Sequence, residues 1–206
     1  MVEESSLSEN IKLNLILDAA QKRFAHYGYA KTTMTEIASD VGLSKASLYY
    51  YFTDKDNLFQ AVVKREQDLF IEAMKKMILV NNTAQNKLTS YVQNRHEYFL
   101  KTLTNLEKIK ISIDTLKPLF ATLLEGFFVS EVKLVSEIMQ EGIAKSEFES
   151  IDVPLHADLF IAVMNGIRYI TIKNKDSNML EQNDYDQVKN RITNLSAVFI
   201  KGILKR

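Results

Sequence analysis

Helical periodicity runs along almost the whole chain, and little in the sequence interrupts it. Apolar side chains recur at spacings of three and four residues, which places them on one face of an α-helix. The 206 residues include only six glycines and two prolines, too few to supply the turns that an all-β chain needs. The pattern therefore predicts an all-α fold of about nine helices.

The composition excludes several classes of protein and of site. With 46% apolar residues the chain can bury a hydrophobic core, and without cysteine it forms neither disulfides nor zinc–thiolate sites. No apolar run approaches the roughly 18 residues of a membrane-spanning helix. The start MVEESSLSEN is acidic and polar, whereas a secretory signal is basic and then apolar. We expect a cytoplasmic protein without membrane contact, cofactor or metal.

Two short helices joined by a tight turn are predicted in the N-terminal third of the chain. Thr33 and Glu36 have the spacing of a capping box at the start of the first helix. Ser44 is placed to cap the second helix, only two residues after Gly42. Helices joined so closely must cross steeply, which requires a small residue such as Ala38 and a turn residue that tolerates positive φ. This is the spacing of a helix-turn-helix, with an ordinary helical hairpin as the alternative.

A longer helix precedes this pair. Its apolar stripe runs from Leu13 to Tyr27 at helical spacing. Ser8 is predicted to cap its N-terminus, and Gly28 can take the left-handed conformation that closes it. Three helices therefore share the N-terminal part of the chain.

Residues 16–59, ILDAAQKRFAHYGYAKTTMTEIASDVGLSKASLYYYFTDKDNLF, resemble the N-terminal domain of TetR/AcrR-type transcriptional repressors. The family often has His in place of Tyr51 and Pro in place of Thr53. The resemblance implies a three-helix helix-turn-helix DNA-binding domain, residues 1–54, joined to a larger helical-bundle domain for ligand binding and dimerisation, residues 55–206. The matching features are Ala19-Ala20, Phe24, Gly28, Thr32-Thr33, Ile37-Ala38, Val41-Gly42, Ser44, Leu48-Tyr49-Tyr50-Tyr51-Phe52, Asp54-Lys55 and Leu58.

The third helix carries side chains that suit the major groove of DNA. Lys45 can donate to guanine or phosphate, Ser47 can bind a base or a phosphate, and Ala46 can meet a thymine methyl group. Three consecutive tyrosines sweep about 200° of helix surface, so we expect Tyr50 to lean back onto the first or fourth helix. The resemblance adds DNA contacts by Tyr49, Tyr51 and Lys55. The candidate DNA-binding residues are Thr33, Thr35, Ser44, Lys45, Ala46, Ser47, Tyr49, Tyr50, Tyr51 and Lys55.

Charge gives this segment no general attraction to DNA. Residues 1–64 hold seven basic and eight acidic groups, a net charge of −1. Non-specific attraction to phosphate is therefore expected to be weak, and affinity should depend on two copies docking at once.

The sequence predicts further helices in the larger domain. They span roughly residues 55–82, 83–103, 107–146 with breaks near Pro118, Gly126 and Gly142, 155–174 and 184–205. Its last two helices are apolar on more than one face, which predicts a four-helix interface with a second copy. Packing within the domain's own core is the alternative for each stripe. The predicted dimer-interface residues are Leu159, Ala162, Gly166, Ile192, Leu195 and Phe199.

A small-molecule pocket in the larger domain is implied by the resemblance. Aromatic and aliphatic residues at helical spacing are candidates to line it, with ordinary core packing as the alternative for each. Arg168 can anchor an acidic ligand or form an interface ion pair. The ligand-binding candidates are His96, Phe99, Leu103, Phe120, Leu124, Phe127, Phe128, Met164 and Asn165.

The function indicated is a homodimeric, ligand-responsive transcriptional regulator. The resemblance implies a repressor that binds a palindromic DNA operator and is released by a small hydrophobic molecule. A transcriptional activator, and a helical ligand-binding or scaffold protein without operator recognition, are the alternatives. No enzyme is expected: His26, His96 and His156 are scattered, and H-E-x-x-H, G-x-S-x-G and P-loop motifs are absent. No catalytic residue is therefore predicted.

Overall fold

The structure is a computed structural model that describes the backbone of residues 2–106, 113–173 and 182–206, and the side chains of residues 9–98, 125–171 and 183–206. These residues contain eight α-helices and one isolated antiparallel bridge. The predicted all-α fold is confirmed, with eight helices in place of about nine. The helices are α1 (Val2–Tyr27), α2 (Met34–Asp40), α3 (Lys45–Tyr51), α4 (Lys55–Leu79), α5 (Ala84–Leu106), α6 (Ile113–Ala144), α7 (Val153–Lys173) and α8 (Gln182–Ile203).

The chain divides into two compact units. The first unit comprises Met1–Asp68 and Lys101–Glu125, and the second comprises Leu69–Leu100 and Gly126–Arg206. α4 contributes residues to both. Within the described residues, no helix combines the length and the hydrophobicity needed to cross a bilayer.

The first unit has a core made by α1 to α4. Aromatic rings lie at its centre: the Phe24 and Phe59 rings meet edge to face with centroids 5.3 Å apart. Ile37 and Leu48 are fully buried against them. Burying aliphatic side chains of this size contributes about 1.5–3 kcal/mol each, so short α2 and α3 are stabilised by packing more than by their own hydrogen bonds.

The second unit has a separate core of α4 to α8. Tyr91 and Leu88 of α5 are fully buried in it, together with Val135 and Met139 of α6. After α6, the chain pairs with the C-terminal end of α8: the N–H of Glu149 donates to the carbonyl oxygen of Ile203 at 2.9 Å. This pairing attaches the segment after α6 to the C-terminal end of the chain within the second unit.

The helix ends follow the capping residues that the sequence predicts. Gly28, with φ of +83°, closes α1, and its N–H donates to the carbonyl oxygen of Phe24 at 3.1 Å. The side chain of Thr33 caps α2, and that of Ser44 caps α3. These predictions are confirmed.

Two expectations about helix boundaries are wrong. α1 begins at Val2, so Ser8 is not its N-cap. α6 is continuous from Ile113 to Ala144 and is not broken at Pro118, Gly126 or Gly142. A glycine inside a helix costs about 1 kcal/mol, and the buried residues of α6 in the second core outweigh that cost.

The second half of α4 keeps one face buried and leaves other apolar residues in solvent. Leu69 is 53% exposed and Met77 is 40% exposed. Phe70, Met74 and Ile78 are the buried residues of this half of α4. Their spacing of four keeps one helical face against the core of the second unit.

Gly142 should tolerate no side chain, because it lies against a packed ring. A methyl group at this position would meet the buried ring of Phe148 well inside contact distance and the Cβ atom of Ala84 at 2.9 Å. We expect Gly142→Ala to lower the free energy of unfolding by about 1–3 kcal/mol, measured by urea denaturation.

Gly126→Ala is the matched control in the same helix. A methyl group there meets no atom of the described residues within 4 Å, and alanine is the better helix former by about 1 kcal/mol. Gly126→Ala should therefore leave the free energy of unfolding unchanged or raise it. Equal effects of the two substitutions would contradict the close packing at Gly142.

Candidate nucleic-acid interface

The turn between α2 and α3 fixes how these helices cross. Gly42 takes a left-handed conformation with φ of +66°, which glycine adopts without steric cost. The N–H of Leu43 donates to the carbonyl oxygen of Ala38 at 2.9 Å and closes the turn. Ala38 is 1% exposed, and its small side chain permits close helix packing. The predicted helix-turn-helix is present.

α3 presents a polar and aromatic face to solvent. Lys45, Ala46, Tyr49 and Tyr50 are exposed, and Ser47 is half-buried. The Nζ atom of Lys45 lies 5.7 Å from the ring centroid of Tyr49, and α3 contains no acidic residue. A helix with such a face can enter the major groove, where base edges offer acceptors to a lysine and methyl groups to a ring.

The three consecutive tyrosines differ in orientation, and one prediction about them is wrong. Tyr50 is 79% exposed and does not lean back onto the protein. Tyr51 packs against the first core instead. The reason is helical phase: Leu48 is buried, and residues three positions apart share a face. Tyr51 therefore lies on the buried side, while Tyr50 points away from it.

Lys55, at the start of α4, holds the segment between α1 and α2. Its ammonium donates to the carbonyl oxygens of Tyr29 and Thr32, each at 2.9 Å, and lies 4.3 Å from the ring centroid of Tyr29. Burial lowers the pKa of Lys55. The hydroxyl of Tyr29 also donates to Asp56. This positioning role was missed from the sequence, and the phosphate contact of Lys55 stays a prediction.

Arg23 connects α1 to the C-terminal end of α2. Its Nε and Nη2 atoms donate to the carboxylate of Asp40 at 2.5 and 2.7 Å, and its Nη1 atom lies 3.3 Å from Glu36. The hydrogen bond from Arg23 lowers the pKa of Asp40. Because the groups are partly exposed, the net stabilisation is small. The two-point geometry nevertheless fixes the orientation of α2.

The hydroxyl residues predicted to contact DNA include the two helix caps. The Oγ1 atom of Thr33 accepts from the N–H of Glu36 at 3.3 Å, and Glu36 Oε2 accepts from the N–H of Thr33 at 2.9 Å. The Oγ atom of Ser44 accepts from the N–H of Ser47 at 3.0 Å. Thr35 is exposed. The caps are confirmed, and the DNA contacts of these residues stay predictions.

A second surface lies on α7 and α8, which pack against each other. Both helices keep large apolar side chains exposed on their outer sides. Single exposed apolar residues are ordinary, but a contiguous group marks an interaction surface. We call this group the α7–α8 face, and it consists of Leu155, Leu159, Val163, Tyr169, Ile170, Leu195 and Val198.

Most of the predicted dimer-interface residues are accessible on these helices. Leu159 and Leu195 belong to the α7–α8 face, Ala162 is exposed beside it, and Gly166 and Phe199 are half-buried.

Ile192 is the exception among the predicted interface residues. It is 4% exposed and packs in the protein's own core. Residues four apart share a helical face, and both Val188 and Ile200 are buried on the same side of α8. The prediction that Ile192 forms part of an interface is therefore wrong.

The ligand-binding candidates fall into two groups. Phe99, Leu103, Phe120 and Leu124 have side chains outside the described residues. Of the others, Phe127, Met164 and His96 are buried, and Phe128 and Asn165 are half-buried. All five lie in the second unit, and their role in binding a ligand stays a prediction.

A buried polar network in the second unit was missed from the sequence. Arg95 donates through Nε and Nη2 to both oxygens of Glu131 at 2.5 and 2.9 Å, and Nη2 also donates to Asn165 at 2.8 Å. The hydroxyl of Tyr91 donates to Glu131 at 2.6 Å. The sequence contained one sign of this network. Arg95 follows Leu88 and Tyr91 at helical spacing and so lies on the same buried face of α5, where an apolar residue is expected.

Burial of this network changes the acidity of its members. Burial and then the carboxylate of Glu131 raise the pKa of Tyr91 well above its usual value, so the phenol remains a donor. Burial alone would lower the pKa of Arg95, but the attraction of Glu131 outweighs it and the pKa is raised. A buried ion pair of this kind is costly to break from one side, by about 3–5 kcal/mol.

Comparisons with known proteins agree with this geometry. The family model for bacterial regulatory proteins of the tetR family matches residues 16–62. A crystal structure of a transcriptional regulator from Cytophaga hutchinsonii ATCC 33406 is 41% identical, with a TM-score of 0.79 over 94% of this chain and 99% of that chain.

Two sequence relatives are more distant. The fatty acid metabolism regulator protein of Bacillus subtilis (strain 168) is 26% identical over 156 residues, 73% of this chain and 78% of the relative. The negative transcriptional regulator IcaR of the biofilm operon icaADBC of Staphylococcus aureus is 25% identical over 135 residues, 66% and 69% of the two chains.

The fold and the exposed α3 helix define a helix-turn-helix DNA-binding protein that regulates transcription and is not an enzyme. More narrowly, the chain belongs to the TetR family of transcriptional regulators.

Lys55 should matter for folding more than a lysine on α3 does. Lys55→Met leaves the carbonyl oxygens of Tyr29 and Thr32 without their donor, and we expect the free energy of unfolding to fall by about 1–3 kcal/mol. Lys45→Met, at an exposed site, is the matched control and should change it by less than about 0.5 kcal/mol. Urea denaturation of both variants measures this difference. An unchanged stability of Lys55→Met would contradict the positioning role.

Proposed function

We propose that this protein is a homodimeric, ligand-responsive repressor that binds a palindromic DNA operator in the cytoplasm. Residues 1–54 form its DNA-binding domain, and residues 55–206 form its ligand-binding and dimerisation domain. The observation that carries the proposal is the exposure of Lys45, Ala46, Tyr49 and Tyr50 on a capped helix free of acidic residues.

DNA is recognised by α3 in this proposal. Lys45 donates to guanine O6 and N7 or to phosphate, and Ala46 and Tyr49 contact thymine methyl groups. Thr33 and Thr35 donate hydroxyl hydrogen bonds to the phosphate backbone. Lys55 uses two of its three N–H groups within the protein, which leaves the third for a phosphate oxygen.

Dimerisation is assigned to the α7–α8 face. Two helices from each of two copies form a four-helix interface related by two-fold symmetry. Such a dimer reads two half-sites about one helical turn apart, roughly 34 Å. Palindromic operators follow from that symmetry.

The effector is assigned to the second unit, with His96, Phe127, Phe128, Met164 and Asn165 as its candidate contacts. The relative from Bacillus subtilis is named for fatty acid metabolism, which favours an effector with an apolar part. The relative from Staphylococcus aureus is named a negative regulator, which favours repression over activation.

Coupling between effector and DNA is assigned to α4. This helix supplies Leu58 and Phe59 to the first core and Phe70 and Met74 to the second. An effector that prefers one position of α4 lowers DNA affinity by its differential binding to the two states, typically about 1–3 kcal/mol.

Substitutions on α3 should remove operator binding without unfolding the protein. We expect Lys45→Ala and Tyr49→Ala each to weaken binding by roughly tenfold or more, because each removes a base contact worth about 1–3 kcal/mol. The DNA fragment is first selected from the genome by the unmodified protein, and affinity is then measured by fluorescence anisotropy.

Lys64→Ala is the control for loss of one positive charge. Lys64 lies on α4 and pairs with Asp68, so its replacement should leave operator affinity within about twofold. If Lys45→Ala and Tyr49→Ala also leave affinity unchanged, α3 is not the recognition helix.

A charge placed on the α7–α8 face should separate the dimer. We expect the unmodified protein to sediment at twice its chain mass of 23.7 kDa and Leu159→Glu to shift it toward the monomer, because a carboxylate resists burial. Val129→Glu is the control at another exposed apolar site and should stay dimeric. A monomeric unmodified protein at micromolar concentration would contradict the assignment.

A further inference from the structure

One histidine lies on the surface that we assign to dimerisation. His156, on α7, is half-buried. It lies beside Leu155 and three positions before Leu159, and both leucines belong to the α7–α8 face. Residues three apart on a helix are neighbours. The other two histidines of the chain are His26 on α1 and His96 on α5, so His156 is the one histidine on α7 or α8.

The imidazole of His156 lies where α7 and α8 meet. Its ring centroid is 6.2 Å from that of Phe199 on α8, with the ring planes 60° apart. Phe199 in turn packs against Phe160 of α7, with ring centroids 4.8 Å apart. Phe199 is half-buried, and Val198 beside it is 70% exposed. The imidazole therefore borders the exposed apolar residues of both helices, and a second copy that covers the α7–α8 face also covers this ring.

A hydrogen bond decides which nitrogen of this imidazole carries the proton. The Nδ1 atom lies 2.7 Å from the carbonyl oxygen of Asp152. A carbonyl oxygen only accepts, so Nδ1 is the donor, and the neutral ring has no proton on Nε2. Within the described residues Nε2 makes no hydrogen bond and is not buried. Protonation in acid therefore adds a proton and a positive charge at an atom that is still in solvent in the single chain.

Charged groups on the segments that meet around His156 are exposed or already hydrogen-bonded. The carboxylate of Asp152 accepts from the N–H of Leu155 at 3.1 Å, and that of Glu147 accepts from the N–H of Ala84 at 2.7 Å. His156 itself lies in the first turn of α7, where the positive end of the helix dipole disfavours a further cation. The exposed charged residues of these segments are Glu149, Asp152, Asp158, Lys201, Lys205 and Arg206.

We propose that His156 makes dimerisation sensitive to pH, because its imidazole is buried between two copies of the α7–α8 face. A neutral ring tolerates this burial. Below about pH 6.5 a histidine gains a positive charge, and burying an unpaired charge is costly. The residues of α8 one turn before and after Phe199 carry no charge that could pair with it: they are Leu195, Ser196, Gly202 and Ile203. The inference rests on the proposed function, because it names a form of regulation of the proposed dimer.

Acid should weaken the dimer, because the separate protomers bind more protons than the dimer does. The affinity between the copies is full above about pH 7.5 and falls as the pH decreases through the range in which histidine titrates. Two-fold symmetry places two copies of His156 in each dimer, so dissociation takes up as many as two protons. Because the proposed operator contact needs both copies, DNA binding weakens together with the dimer.

The experiment measures the dissociation constant of the unmodified full-length dimer at several pH values. Fluorescence-detected sedimentation covers nanomolar to micromolar concentrations, and circular dichroism checks the fold at each pH. For a dimer too tight to dissociate in that range, the rate of subunit exchange between two labelled pools is measured instead and should rise in acid. We expect the dissociation constant to rise roughly tenfold from about pH 7.5 to about pH 6.0, and up to about 100-fold at about pH 5.5.

Substitution of His156 then assigns the effect to one side chain. His156→Gln keeps a side chain that can donate to the carbonyl oxygen of Asp152 but does not titrate. We expect this variant to dimerise at about pH 7.5 and to change its dissociation constant by less than about threefold down to about pH 5.5. His26→Gln, at an exposed site on α1, is the matched control and should keep the pH dependence of the unmodified protein.

Several outcomes overturn the inference. They are a dissociation constant that does not change with pH, a dimer that tightens in acid, a pH dependence that His156→Gln retains, and one that His26→Gln also abolishes. If the unmodified protein is dimeric at about pH 7.5 and Leu159→Glu is monomeric, but acid has no effect, the proposed dimer stands without this regulation. If the unmodified protein is already monomeric at that pH, the dimer of the proposed function itself fails.

Discussion

The turn at Gly42 is the constraint on which the DNA-binding surface depends. Its positive φ and the hydrogen bond from Leu43 to Ala38 set the direction in which α3 leaves α2. With that direction fixed, Leu48 enters the core and the opposite side of α3 faces solvent. A side chain larger than the methyl group of Ala38, or a residue with a restricted backbone in place of Gly42, would change this direction. The exposed residues of α3, which are the candidates for reading DNA, therefore owe their orientation to the buried Ala38 and the turn at Gly42.

Charged side chains in the first unit fix the positions of neighbouring segments more than they attract DNA. Arg23 is engaged with Asp40, and Lys55 with two carbonyl groups, while residues 1–64 carry a net charge of −1. Counterion release by a few lysines gives limited affinity for any sequence. In the proposed function, specificity then comes from the α3 contacts and from two copies held at a fixed half-site separation.

Local patterns predicted the fold and the DNA-binding segment because the forces there are local. The capping box at Thr33 and the turn at Gly42 join residues no more than five positions apart, so sequence spacing was sufficient. The errors came where tertiary packing decides: α6 continues through Gly126, and Ile192 faces inward. The orientation of Tyr50 was predicted wrongly because the buried position of Leu48 was not used to decide which side of α3 faces the core. Lys55 binding to Tyr29 and Arg95 binding to Glu131 join residues 26 and 36 positions apart, and no local pattern encodes such pairs.

In the proposed function, the buried network of Arg95, Glu131 and Asn165 also bears on how the protein can respond to an effector. An effector shifts an equilibrium only by the difference between its affinities for two states, and apolar contacts alone change gradually as helices move. Charged groups in a low-dielectric core behave differently, because their interaction depends steeply on distance and on complete hydrogen bonding. Arg95 and Glu131 tie α5 to α6, and Asn165 adds α7. Moving any one of these helices away from the others would leave a buried charge or its hydrogen-bond partner unsatisfied, so the network couples the positions of the three helices.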